Sequence, residues 1–536
     1  MDAQTDLSDV PPARHAGPHP TIFEPLTLIL ITVLCVIGAI IGMQLLVTLG
    51  VTANTSIVGA LIAMALARVP LRAFARYRSI HVQNLAQSAI SAATFGAGNS
   101  LLLPIGIPFL LGRADLVLPL LGGVALAMLV DATMLYRLFG SRVFPAEGAW
   151  PPGVAAAEAI RAGDAGGRRV LVLGGGVLVG IIGTGLLNIP MSAFGVAFIG
   201  NVWALVMFGI GLLVRGYSSQ LFSGLVAGGD IAKAYVPHGL MIGAGVVALV
   251  QVTFVMLGDR ASASGASRGP ETALGLGAVA YLIVGVLIAL GGGLINELSF
   301  GALLAFVVYA AFAALMHELI VGLAAMHSGW FPAFAVALIT LIVGMLLGFP
   351  PTALALLVGF SAATGPAFAD MGYDLKAGFM LRGHGTDADF ETDGRLQQYI
   401  AAMFAFVVAG IVVLVSYKAY FAAGLVAPVA KVYVATIKAG ATPAVAWQLL
   451  IWAIPGALLQ FLGGPRRQMG VLFATGMLIL FPMAGWAVLV GVAARLIYGR
   501  LRGAPAQGEM EVFAGGVIAG DALTGFFNGI VANLRR

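Results

Sequence analysis

The sequence predicts an all-α, polytopic membrane protein of about 14–16 transmembrane helices in two internally duplicated halves. Three observations predict it. Hydrophobic residues make up 60% of the 536 residues and charged residues only 10%, against about 25% charged in a soluble protein. That is too little charge to cover a water-facing surface. Apolar stretches of the roughly 20 residues that a bilayer requires recur along nearly the whole chain. Short patterns in the first half also return, in the same order, in the second.

Met1–Ile22 is polar, with Asp2, Asp6 and Asp9, and lacks the basic start of a cleaved signal. Residues 1–23 are therefore expected as a disordered tail. Spans follow at Pro25–Leu49 and Ser56–Ala67. Arg68, Arg72, Arg76 and Arg78 then form a basic stretch almost without acids, which places it and the N-terminus in the cytoplasm. His81–Leu111 is apolar but studded with Gln83, Asn84, Gln87, Ser88, Ser91, Thr94 and Asn99. Leu116–Leu135 spans next, and a long basic loop with Arg137, Arg142, Arg161, Arg168 and Arg169 returns to the same side. Val170–Leu187, Ser192–Val214 and Tyr235–Leu257 complete a first repeat over 24–257.

Residues 258–271 contain no apolar run and form the linker. The second repeat, 272–536, holds candidate spans at Leu274–Gly291, Leu298–Leu315, Phe331–Leu347, Thr352–Phe368, Tyr399–Tyr417, Ala444–Leu462, Val471–Val490 and Val512–Val531. Arg382–Arg395 is its one sizeable hydrophilic loop. Gly supplies 73 residues, close to twice the usual share of about 7%. In membrane helices small residues permit close approach and mark interruptions.

Several function classes are disfavoured. The net charge of +5 is spread over short loops, as membrane topology demands, and does not call for nucleic acid. The single Cys35 allows no intrachain disulfide and no thiolate metal cluster. No Gly-x-x-x-x-Gly-Lys-Ser/Thr pattern is present, and His317-Glu318 continues without the second His of a zinc-protease helix. No cofactor, no metal site and no enzyme are expected.

Ser91-Ala92-Ala93-Thr94 recurs as Ser361-Ala362-Ala363-Thr364. Ile160-Arg161-Ala162-Gly163 pairs with Ile437-Lys438-Ala439-Gly440, and Leu221–Asp230 with Val512–Asp521. The separation between copies widens in order, as insertions in a second copy would produce. Coincidence in an Ala-rich chain is the competing explanation. Paired repeats around a midplane site are a common plan of secondary transporters, and Lys418, Lys431 and Lys438 favour a parallel arrangement.

Asn84-Leu85-Ala86-Gln87-Ser88-Ala89, Trp150-Pro151-Pro152-Gly153-Val154-Ala155-Ala156-Ala157-Glu158 and Asp370-Met371-Gly372-Tyr373-Asp374-Leu375-Lys376-Ala377-Gly378-Phe379, with the later Gln397-Gln398, resemble motifs of the oligopeptide transporter family, which includes the yellow-stripe-like metal-chelate carriers. The matches fall in order. The Trp and second Pro of the middle motif depart from the family pattern, and with the Gly-Ala-Gly-Asn and Thr-Gly-Pro-Ala surroundings they suggest a divergent, prokaryotic-type member. The resemblance implies proton-coupled uptake of small peptides or metal chelates across the plasma membrane. Protons, such a substrate and the bilayer are then the expected partners, with a homodimer left open.

Asp370 and Asp374 lie four apart, on one face of a continuous helix. Two neighbouring carboxylates are a natural carrier for a coupling proton, because a proton relieves the repulsion between them. The alternative places both at the membrane surface, leading into the Arg382 loop. Lys376 is close in sequence but off that face. Ser91, Thr94, Asn99, Ser361 and Thr364 offer neutral hydrogen-bonding groups to a peptide or chelate; small-residue packing is the rival explanation. Gly96, Gly98, Gly365 and Pro366 suggest broken helices whose backbone groups bind a charged substrate. Glu158 is either a gate or a solvated charge. Asp230 and Asp521 are read as matched helix caps, and Asp131 as a partner of Arg137. An intramembrane enzyme using His317, Glu318 or Asp370, and a passive channel, are the alternative functions.

Overall fold

The structure is a computed structural model that describes residues 17–49, 56–67, 72–165, 167–224, 229–260, 270–440, 442–502 and 506–534. Most of the expected tail, Arg68 of the basic stretch and the centre of the 258–271 linker lie outside the described residues. Among those described, every element is a helix. Among the described residues, nine helices are long and apolar enough to cross a bilayer, and five shorter apolar helices of 10–17 residues accompany them. The all-α, polytopic architecture is the predicted one.

Helix starts follow ordinary capping chemistry. Ser299 accepts the Ala302 amide at 3.3 Å to begin Phe300–Ser328, and Asp387 accepts the Phe390 amide at 3.1 Å to begin Ala388–Ala422. Proline opens Pro351–Ala363, Pro366–Leu381 and Pro443–Arg467, where its missing N–H removes no intrahelical bond.

Several expected boundaries change. Ser192–Val214 is two helices, Met191–Val196 and Val202–Gly216, and Val471–Val490 is Met469–Leu478 followed by Pro482–Arg502. Leu298–Leu315 reaches instead to Ser328, and Tyr399–Tyr417 belongs to the 35-residue helix Ala388–Ala422. The Arg382–Arg395 segment is thus largely helical. The expected span Thr352–Phe368 is broken at Thr364 and Gly365, near its C-terminal end, and continues to Leu381. Residues 17–23, at the end of the expected tail, run over the protein body. Ile22 is fully buried, and its amide donates to Gln397 Oε1 at 3.2 Å.

Two layers are distinguishable by burial. Outer helices show large apolar side chains on one flank, as Pro443–Arg467 does with Ile454, Leu458, Phe461 and Leu462, all exposed; lipid is the solvent such a flank fits. The spans Ile80–Leu110 and Pro351–Leu381 are almost wholly enclosed by other helices, although both are among the least apolar. Polar residues therefore collect where neither water nor lipid reaches.

Glycine allows the tightest helix pairs. Gly167–Gly185 lies against Ala506–Leu534 through Gly176 and Gly180 on one side and Gly516 and Gly520 on the other. A Cβ at Gly516 would stand 2.2 Å from the Leu173 carbonyl oxygen. This is small-residue packing in the form membrane helices use in place of a hydrophobic drive.

Candidate functional site

The two enclosed spans share a plan. Each is 31 residues long, and each is interrupted shortly after its Ser-Ala-Ala-Thr sequence. In the first, the α-helix Ile80–Phe95 passes into a π-helical turn, Gly96–Leu102, before resuming at Leu103. Such turns disturb the regular backbone ladder and recur at functional sites. In the second, Thr364 is extended (φ −84°, ψ 155°) and Gly365 takes φ +92°. Glycine tolerates that conformation because it lacks a Cβ. The π turn packs against both pieces of the second span, so the two interruptions meet in the core.

The half-helix Pro366–Leu381 begins inside the protein, where its first amides would lack partners. Asp131, fully buried on Val117–Leu138, supplies them. Its carboxylate accepts the Gly365 amide at 2.9 and 3.0 Å and the Phe368 amide at 2.9 Å. The Tyr281 hydroxyl donates to it at 3.4 Å. The expected pairing of Asp131 with Arg137 is thereby replaced by a helix cap, and the backbone groups at Gly365 are already occupied by a carboxylate of the protein itself.

One turn further, the predicted carboxylates meet the first span. Asn84, Gln87, Ser88 and Ser91 recur at helical spacing along one face of Ile80–Phe95. Ser91 Oγ donates to Asp370 Oδ1, and Gln87 Nε2 to Asp374 Oδ1. Asn84 Nδ2 in turn donates to Gln87 Oε1 at 2.9 Å. Gln398, from Ala388–Ala422, donates to the Asp374 carbonyl at 2.6 Å and to Ser88 Oγ at 3.0 Å. Its Oε1 accepts from Arg382 at 2.8 Å, and the fully buried Arg382 makes a two-pronged pair with Glu391 at 2.8 and 3.1 Å. The result is a polar ladder closed to solvent, with Asp370 and Asp374 each 1% exposed. Burial excludes the surface placement. The second carboxylate oxygen of each, Oδ2, is buried without a hydrogen-bond partner.

The other expected residues are placed as follows. Thr94 and Thr364 turn their hydroxyls back to the carbonyls of Ile90 and Ser361, at 2.7 and 2.9 Å. Asn99 is buried within the π turn. Ser361 sits between His317 Nδ1 at 3.2 Å and Thr340 Oγ1 at 3.1 Å. Lys376 points away from the ladder, donating to the Ala146 carbonyl at 3.1 Å and lying 5.7 Å from the Phe379 ring centre. Glu158 is buried on Pro151–Ala165, 3.2 Å from Arg161, so it is no solvated charge. Asp230 holds Arg215 at 2.9 Å and caps its own turn at the Ala232 amide, 3.1 Å away. Asp521 departs from that expectation. It lies within Ala506–Leu534 and reaches across to Thr184 and to the Ser192 amide, the latter at 3.1 Å.

Gln87, Gln398, Arg382, Asp131 and Tyr281 are the ladder and cap residues that sequence reasoning did not single out as a site. Gln87 and Gln398 lay inside the motifs already read, which was their signal. Glu318 is a further buried acid, on Phe300–Ser328 and facing Asp131 and Tyr281. Among the described residues no group of three or more His, Cys, Asp or Glu side chains is arranged to hold a metal ion.

Residues 26–256 match the family model described as OPT oligopeptide transporter protein. Over this stretch the chain is similar to the family that its motifs resemble, and the match takes in the first broken span, Asp131 and Glu158. No curated protein matches the chain.

Proposed function

We propose that this chain is a secondary active transporter of the plasma membrane, with its N-terminus in the cytoplasm, importing small oligopeptides or peptide-like metal chelates together with protons. One observation carries the reading. Asp370 and Asp374 lie one turn apart on a buried half-helix, each taking one side-chain donor from the facing span, each with its other oxygen unpartnered. A proton on such an oxygen removes a charge that an apolar interior penalises. The description of the matching family, oligopeptide transporter, supports a peptide-like substrate.

The matched interruptions support a duplicated, two-part design. The ladder joins residues 80–95 to residues 366–398. Protonation of its carboxylates would weaken the charge-assisted bonds that hold the two halves together. Rocking of one half against the other is the motion by which secondary transporters expose a midplane site alternately to each side.

The test is uptake by the purified full chain in proteoliposomes, using a labelled dipeptide and an iron chelate, with and without an inward proton gradient. Accumulation above equilibrium only with the gradient is expected. Uptake that stops at equilibrium under both conditions would replace the reading with a passive channel, and cleavage of the peptide would replace it with an enzyme.

A further inference from the structure

The buried acid Glu318 has no place in the ladder. It stands past the middle of Phe300–Ser328 and is 0% exposed. Its neighbour in sequence, His317, turns to Ser361. Two groups from other helices face the carboxylate: Tyr281 from Pro270–Gly291 and Asp131 from Val117–Leu138, both fully buried as well. Elsewhere around it the bordering helices present uncharged residues. Gly365 lies against Val321, Phe368 against Gly322 and Gly245 against Ile320. Among the described residues, no Lys, Arg or His forms an ion pair with Asp131 or Glu318.

A count of hydrogens separates the two carboxylates. Asp131 accepts the Gly365 and Phe368 amides with both its oxygens, and such donors favour a carboxylate in its charged form. The Tyr281 hydroxyl has one hydrogen to give, and it donates to Asp131 Oδ1 at 3.4 Å. Among the described residues, that same hydroxyl is the one hydrogen-bonding group set against the Glu318 carboxylate. With its hydrogen turned to Asp131, it has only a lone pair left for Glu318. A charged Glu318 would then stand in an apolar interior beside a second anion, with neither donor nor cation to compensate it. A neutral Glu318 supplies the missing hydrogen itself.

We propose that Glu318 holds a proton and that Tyr281 relays it to Asp131, a proton site separate from the ladder and placed at the second interruption. The glutamic acid donates to the Tyr281 oxygen, and Tyr281 donates to Asp131. When the Glu318 hydrogen passes to the Tyr281 oxygen, the Tyr281 hydrogen passes to Asp131. Glu318 is then the carboxylate and Asp131 the acid, while Tyr281 is neutral before and after. A neutral Asp131 is a weaker acceptor for the Gly365 and Phe368 amides. The transfer therefore loosens the start of the half-helix that carries Asp370 and Asp374. That link to coupling rests on the transporter reading; the proton on Glu318 does not.

Infrared difference spectra of the purified full chain in lipid vesicles at neutral pH read the proton directly, because a protonated carboxyl group has a carbonyl band that a carboxylate lacks. Subtracting the spectrum of Glu318→Gln from that of the parent should leave one such band, which shifts in heavy water. Glu318→Gln exchanges a neutral acid for a neutral amide of the same size, so it should melt close to the parent. Should it not fold, Glu318→Asp keeps the carboxyl group and should move the band without abolishing it. In Tyr281→Phe the band should persist at a new position, because its hydrogen-bond acceptor is gone. A difference confined to carboxylate bands would overturn the proton on Glu318, and a band left in place by Tyr281→Phe would overturn the relay. In proteoliposomes, Glu318→Gln and Tyr281→Phe should each lose gradient-driven accumulation and keep exchange at equal pH; accumulation equal to the parent in both would overturn the link to coupling. A Glu318 band in a parent protein that shows no proton-driven uptake would sink the transporter reading and leave the protonated acid standing.

Discussion

Both carboxylate oxygens of Asp131 accept the amide of Gly365, at 2.9 and 3.0 Å. A side chain of the N-terminal half thereby closes the open end of a half-helix in the C-terminal half, in a place no water reaches. Because the cap is buried, its removal leaves at least two backbone donors without partners. Asp131→Ala is expected to cost about 2 kcal/mol or more, read as a lowered melting temperature of the purified protein in detergent. Asp131→Asn keeps one acceptor oxygen and should lose less. Identical melting curves for all three proteins would mean that the interruption is held by something else.

The contact between Gln87 and Asp374 allows structure and function to be separated. Gln87→Leu strips a buried carboxylate oxygen of its side-chain donor, a loss of about 1–3 kcal/mol. The double variant Gln87→Leu with Asp374→Leu removes both polar partners and should recover part of that stability. It should nonetheless show no gradient-driven uptake. A double variant that transports like the parent would count against any role for Asp374 beyond folding.

Much of the fold could be read from the sequence because hydropathy and charge are local properties. The helical recurrence of Asn84, Gln87, Ser88 and Ser91 in an apolar span already defined a polar face, and Asp370 and Asp374 defined another. That the two faces meet is a long-range fact. Ser91 and Asp370 are 279 positions apart, and no local pattern encodes the pairing. Asp131 was assigned to Arg137 because that was the nearest opposite charge, whereas burial favoured unpaired backbone amides. The merging of Met469–Leu478 with Pro482–Arg502 has a similar cause: the turn between them, through Ile479 and Leu480, is itself apolar. Arg382–Arg395 looked like a loop because of its charges, yet Arg382 is buried once Glu391 neutralises it. The hydroxyls of Thr94 and Thr364, singled out by the repeated Ser-Ala-Ala-Thr motif, each hydrogen-bond a carbonyl three or four residues back, a local contact that the motif does not reveal.

The glycine contacts make a stability prediction with an internal control. At Gly516 an added Cβ would meet the Leu173 carbonyl oxygen at 2.2 Å, and backbone cannot step aside cheaply. Gly516→Ala should therefore lower the melting temperature and the yield of monodisperse protein. At Gly499, in Pro482–Arg502, nothing lies within 4 Å of the added atom. Gly499→Ala should be neutral or stabilising, by up to about 1 kcal/mol, because alanine favours the helix. Equal effects at the two positions would show that helix propensity, not close approach, explains the glycine at Gly516.

The sharpest prediction concerns the ladder carboxylates. Asparagine keeps the size of Asp374 and one acceptor oxygen for Gln87, so Asp374→Asn should fold with near-normal stability. It can neither take up nor release a coupling proton. Gradient-driven accumulation should therefore be lost, while exchange of labelled for unlabelled substrate at equal pH should survive, since exchange needs the binding site but no net proton movement. Asp370→Asn, held by Ser91, should behave in the same way if both carboxylates share the proton, and should retain partial accumulation if Asp374 alone carries it. The two variants thus apportion the coupling between positions one turn apart. Loss of exchange together with accumulation would instead place Asp374 in substrate binding or in the gate. Unchanged gradient dependence in both variants would remove the pair from coupling and turn attention to Glu318, the buried acid that faces Asp131 and Tyr281.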